Sequence, residues 1–198
     1  EMPPKDLVAI LREHDASKGS IVGELISPKQ FLAAVTMEAQ YRERGHESLR
    51  GMINGVIFRN DEHTEEFIDV LGSTEDGVRA LVNYFSDRHA EIEYFFRNGT
   101  FSELEGTDFS DIPAHDEDLS YGEIDQGNQR EVVRLNEVSD GDWRQLAWHL
   151  RVEHYEIFRE VLEILRRQHR AAQEALLAPK PAAPLSLDDD DDDEDDVL

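Results

Sequence analysis

Apolar residues recur at spacings of three and four along nearly every ordered-looking stretch, so the pattern predicts helices throughout. The longest such run is Ser139 to Leu177, which contains no proline and only Gly141 near its start. Trp143, Ala147, Leu150, His154, Ile157, Val161, Ile164, Gln168, Ala171 and Ala175 alternate by four and three, a coiled-coil-like seam. Leu146, Phe158, Leu162 and Leu165 widen its first two-thirds into a stripe that needs more than one neighbour. Ser139 or Asp140 is the expected N-cap. One unbroken helix here would be a rod of about 57 Å, longer than a small domain is wide.

Upstream, the pattern predicts a short helix from Lys5 to about His14 and a possible short strand from Ile21 to Ile26. Ser27-Pro28 marks a helix start, and that helix runs to about Arg44 with Phe31, Leu32, Val35 and Ala39 inward. Leu49, Met52, Ile53, Val56 and Ile57 match the five-position amphipathic template. On that helix Gly51 and Gly55 form a small-xxx-small pair, expected to pack closely on another helix or to serve as a dimer face. Asp61 is placed as the cap of a short helix burying Phe67, Ile68 and Leu71. Ser73 with Asp76 resembles a capping box for a helix from Thr74 to about Asn98 that buries Val78, Val82, Phe85, His89, Ile92 and Phe96. Asn98-Gly99 is its stop. The expected fold class is therefore all-α: an irregular helical bundle organised around one long C-terminal helix.

Residues 99–126 break the pattern. They hold nine acids (Glu103, Glu105, Asp108, Asp111, Asp116, Glu117, Asp118, Glu123 and Asp125) and no Lys or Arg. Phe101, Leu104, Phe109, Ile112, Leu119, Tyr121 and Ile124 are spaced among them. A long irregular stretch inside a domain is a linker, a docking segment for a basic partner or a cation loop, and no EF-hand spacing is present. The division expected is a helical domain over 1–178 containing this segment, a proline-rich linker over 179–187, and a disordered acidic tail over 188–198.

Charge then narrows the function. The net charge is −25, of which nine charges lie in Asp188 to Asp196, leaving 16 on the rest of the chain. Such a body repels nucleic acid and anionic lipid, so no direct nucleic-acid or membrane binding is expected. Lys5, Lys18, Lys29 and Lys180 are the only lysines among 20 basic residues, a bias that a salt-rich cytosol or a GC-rich genome would each produce. The absence of cysteine excludes thiolate catalysis and Cys-type zinc sites. No run approaches 18 apolar residues, and EMPPKDLVAI has no signal-peptide pattern. A cytoplasmic protein, or one in a particle assembled in the cytoplasm, is expected.

Candidate chemistry is sparse. His89 with Glu93 and His149 with Glu153 sit four apart on helices, and His154 lies on the seam; these five are the metal candidates. Ferritin-like bundles need Glu-x-x-His on two helices, and only Glu43 with His46 approaches it, interrupted by Gly45. There is no G-x-S-x-G, no phosphate-binding loop and no G-x-G-x-x-G, so neither an enzyme nor a bound cofactor is expected. The leading expectation is a non-catalytic assembly or adaptor protein with protein partners, a homo-oligomer or a subunit of a larger particle such as a virion. The alternatives are an acidic nucleic-acid mimic or chaperone for basic proteins, and a metal-binding bundle. The expected contact residues are Arg166, Arg167, Arg170, Leu176 and Leu177 at the far end of the long helix, with Asp116, Glu117 and Asp118 as acidic counterparts.

Overall fold

The computed structural model describes residues 2–13, 25–41, 45–58, 63–101, 131–138 and 142–177. These form eight α-helices: α1 Pro4–Glu13, α2 Pro28–Tyr41, α3 Gly45–Ile57, α4 Thr64–Gly72, α5 Glu75–Phe85, α6 His89–Asn98, α7 Trp143–Val152 and α8 Tyr155–Leu177. A 3-10 turn, Leu135–Glu137, precedes α7, and no strand occurs among the described residues. The all-α class is as the periodicity predicts. No helix among the described residues is long and apolar enough to cross a membrane.

The centre of the bundle is the pair α2 and α5, not the C-terminal helix. Helix α2 packs against α1, α3, α4 and α5, and α5 packs against α2, α3, α4 and α8. Helix α5 therefore buries Ala80, Leu81 and Tyr84 as well as the Val78, Val82 and Phe85 of its amphipathic stripe. One contiguous apolar cluster runs from Leu7 on α1 to Leu165 on α8. Polar ties stitch its edges. Glu38 on α2 accepts from Arg12 of α1 at 2.6 Å and from Ser48 of α3 at 2.7 Å. The Tyr84 hydroxyl donates to Asn54 of α3 at 2.6 Å, and burial pushes its pKa upward.

Two long helices expected from the periodicity are each broken in two. The helix predicted over 74–98 ends at Phe85 because Arg50 of α3 takes the Tyr84 carbonyl with Nε and Nη2, at 3.0 and 2.8 Å. That carbonyl is the one an amide at Arg88 would need to continue the helix. The same guanidinium binds the Asp87 carboxylate, and the Ser86 hydroxyl turns back to the Asn83 carbonyl at 2.9 Å. The helix predicted over 139–177 breaks at Glu153-His154. There the amides of both residues donate to the His149 carbonyl, at 2.9 and 3.2 Å, so one extra residue enters the turn. The 57 Å rod is replaced by a 10-residue helix and a 23-residue helix, the latter about 35 Å long.

Most caps follow the predicted chemistry with small offsets, but α4 starts with His63 at its N-cap position and no side-chain cap bond, and Asp61, the expected cap, lies outside the described residues. Ser27 caps α2, its hydroxyl accepting from the Gln30 amide at 3.3 Å while Gln30 returns a bond to the Ser27 amide at 3.2 Å. Thr74, not Ser73, caps α5 by accepting from the Gly77 amide at 3.1 Å. Asp142, not Ser139 or Asp140, caps α7 by accepting from Arg144 and Gln145. Gly99 ends α6 in the left-handed region at φ 73°, and its carbonyl accepts from the Val133 amide at 2.9 Å. Residues on either side of 102–130 thus meet at this glycine. Gly51 and Gly55 meet nothing within 4 Å of where a Cβ would stand, so the expected close packing of that pair on another helix is absent among the described residues. Gly72 and Gly77 are the helix glycines that are tightly met instead: a Cβ at Gly72 would overlap the Ile157 side chain of α8, and one at Gly77 the Leu71 backbone.

Candidate protein-docking site

The first half of α8 is anchored and its second half projects. Phe158, Val161, Leu162 and Leu165 are buried against α5, α6 and α7. At the N-terminus of α8, the His154 ring reaches Asp69 of α4 at 2.9 Å and Ile157 fills the notch over Gly72. From Arg167 onward every residue except Gln173 is exposed. That is eleven residues, or three turns, ending in Leu176 and Leu177 at 86% and 85% exposure.

A polar latch sits where the helix leaves the bundle. Glu93 of α6 is buried, and its two oxygens receive Arg166 Nε at 2.8 Å and Nη2 at 2.9 Å in a fork. Arg97, one turn further along α6, adds a bond at 2.7 Å. Burial alone would raise the Glu93 pKa, but the two guanidinium groups outweigh it and hold the carboxyl below its ordinary value. The Arg166 guanidinium also lies over the Phe96 ring at 5.0 Å. One turn beyond, His169 stacks on His89 with ring centroids 4.3 Å apart and planes 12° apart. Burial first, then the neighbouring His169, pushes the His89 pKa down to about 4, so its ring is neutral near pH 7.

The metal candidates are not gathered at one point. Glu93 spends both oxygens on arginines. His89 faces His169, His149 meets Glu153 at 2.6 Å on its own helix, and His154 pairs with Asp69. Among the described residues no group of three or more His, Cys, Asp or Glu is positioned to hold a metal ion. Glu43 lies outside the described residues, as do Asp116, Glu117, Asp118 and the acidic tail.

The contact candidates divide. Arg166 is drawn inward by Glu93 and is only 13% exposed, so the positive cluster read from the sequence is smaller than expected. Arg167, Arg170, Leu176 and Leu177 are on the surface. Residues not foreseen are His169, Arg97 and Asp69, which latch α8 to α6 and α4. His169 does carry a signal: it lies four residues past Leu165 on the same face, where the buried stripe runs out. No family model, curated protein or solved structure matches this chain.

Proposed function

We propose that the protein is a non-catalytic helical assembly or adaptor component that engages other proteins through the projecting end of α8. One observation carries this reading: three turns of regular helix stand outside the bundle and end in two exposed leucines. A helix of that length is marginal in water on propensity alone. Here it extends from an anchored helix, and the Arg166–Glu93 fork and the His89–His169 stack fix its direction at the rim. A stiff, directed arm with an apolar tip suits helix-mediated recognition. The acidic body would keep nucleic acid and anionic surfaces away and leave the arm as the least repulsive approach.

The charge of −25 favours a second reading, an acidic mimic or a chaperone for basic proteins. Salt separates the two. A charge-mediated complex weakens steeply as salt is added, whereas a contact through the arm persists.

Site-specific photo-cross-linking tests the proposal. A photoreactive side chain at Ala171 on the arm is compared with one at Glu75, an exposed position on α5. Protein adducts at 171 and none at 75, formed in the cells that make the protein, are the expected result. Equal labelling at both positions, or none at 171, would rule the arm out.

A further inference from the structure

We infer that the arm is a self-association element, pairing antiparallel with the arm of a second copy of this chain. This rests on the reading of the arm as a protein contact and goes further by naming the occupant. Gln168, Ala171 and Ala175 form one exposed stripe of the arm, which continues at the rim into Ile164, half-buried and packed on the core, at spacings of four, three and four. Arg167 and Glu174, seven residues apart, flank that stripe on one side, and both are exposed. An antiparallel pair with its two-fold axis near residues 169 and 170 sets Gln168 opposite Ala171 and Ile164 opposite Ala175, each twice. The same register brings Arg167 of each copy against Glu174 of the other. The flank is therefore self-complementary in charge, and the alanines allow the two helices to approach closely.

A parallel pair has neither property. It sets Gln168 against Gln168 and brings no opposite charges together along the flank. It also holds two strongly acidic bodies side by side. The antiparallel pair sends the bodies to opposite ends, because Arg166 at the rim of one bundle aligns with about residue 173 of the second copy. Seven residues at 1.5 Å separate the rims by about 10 Å along the axis, beyond the Debye length of about 8 Å at physiological salt. Self-repulsion is then largely screened while the short-range Arg167–Glu174 contacts remain. Three turns of helix on each side bury less than a standard interface, so association is expected in the range of tens of micromolar.

Light scattering on the full chain in 150 mM salt should show the mass rising from one copy to two between about 5 and 500 µM. Arg167→Glu or Glu174→Arg alone should weaken the dimer at least tenfold, and the two together should restore it to within about threefold. These side chains are exposed, so folding is not at stake. Because the chain has no cysteine, orientation is read directly: a mixture of the Gln168→Cys and Ala171→Cys variants should oxidise mainly to the mixed disulfide. A monomer at 500 µM, failure of the double swap to rescue, or preferential 168-to-168 disulfides would overturn the inference. If the chain is monomeric while Ala171 still cross-links to a different protein, self-pairing fails and the arm remains a contact for another partner.

Discussion

The two halves of α8 are one continuous helix of similar chemistry, yet they live in different surroundings. Tyr155 to Leu165 packs against α5, α6 and α7, and Arg167 to Leu177 is exposed except at Gln173, touching the bundle through the stack of His169 on His89 of α6. Charged residues occur in both halves, so overall polarity does not separate them. The difference lies in which large side chains fall on the inner face. Phe158, Val161, Leu162 and Leu165 follow one another there, and the same face continues as His169, Ala172 and Leu176. Once the inner face loses its bulk, burial no longer offsets the entropy of ordering the chain, and the helix persists by extension from its anchored half. Arg166 marks the boundary, the last side chain of α8 tied to a buried acid.

Four measurements would sharpen that contrast. The largest effect is expected from Val161→Asp, which places an unpaired charge on the buried face and should cost about 4 kcal/mol or more of unfolding free energy in urea. Glu93→Gln comes next. It leaves Arg166 and Arg97 facing each other without a carboxylate, and about 3 kcal/mol should be lost. An unchanged midpoint for this variant would mean that the latch does not hold α8. Gly72→Ala pushes a methyl into Ile157, with an expected loss of about 2 kcal/mol. Gln168→Ala, on the arm, should stay within about 0.5 kcal/mol of the parent.

Acid should act on the latch specifically. The folded pKa of His89, about 4, lies below its ordinary value near 6.5, so the unfolded chain binds the proton first as pH falls. Stability contributed at neutral pH is thus lost between about pH 6.5 and 4. Glu93 adds to the loss as pH falls through its own lowered value, because the protonated acid no longer holds the two arginines. With partial solvent screening, the His89 part amounts to about 1 kcal/mol. His89→Phe keeps a ring against His169 and removes the titration. Its melting temperature should fall less than the parent's between pH 7 and 5, and parallel curves would show that His89 is not the sensitive group.

Much of the core was legible because burial follows periodicity. Met52, Ile53, Val56 and Ile57 are all buried, as the five-position template requires, and the stop at Gly99 needed only a residue at ease with positive φ. The Gly51 and Gly55 pair does not pack on another helix among the described residues, because small size permits a close approach without supplying a neighbour. The positive cluster was misread at Arg166, since the buried acid that claims it is 73 positions away in the chain.

What the sequence alone determined is the helical class, most of the inward-facing residues and the caps at Ser27 and Gly99, all set by contacts within a turn or two. What only the tertiary structure decided is where helices stop and which of them are central. The sequence Glu153-His154-Tyr155 contains no glycine or proline, and the helix bends there because His154 is held by Asp69 and Ile157 by the notch over Gly72. The helix over 74–98 ends at Phe85 because an arginine from α3 takes the Tyr84 carbonyl. Likewise α2 and α5 are central because four helices converge on each. Each of these rests on groups far apart in the chain whose meeting no local pattern encodes, and for the same reason the surplus length read from an unbroken rod of about 57 Å does not hold, while the exposed arm emerges only where the buried groups of the bundle run out.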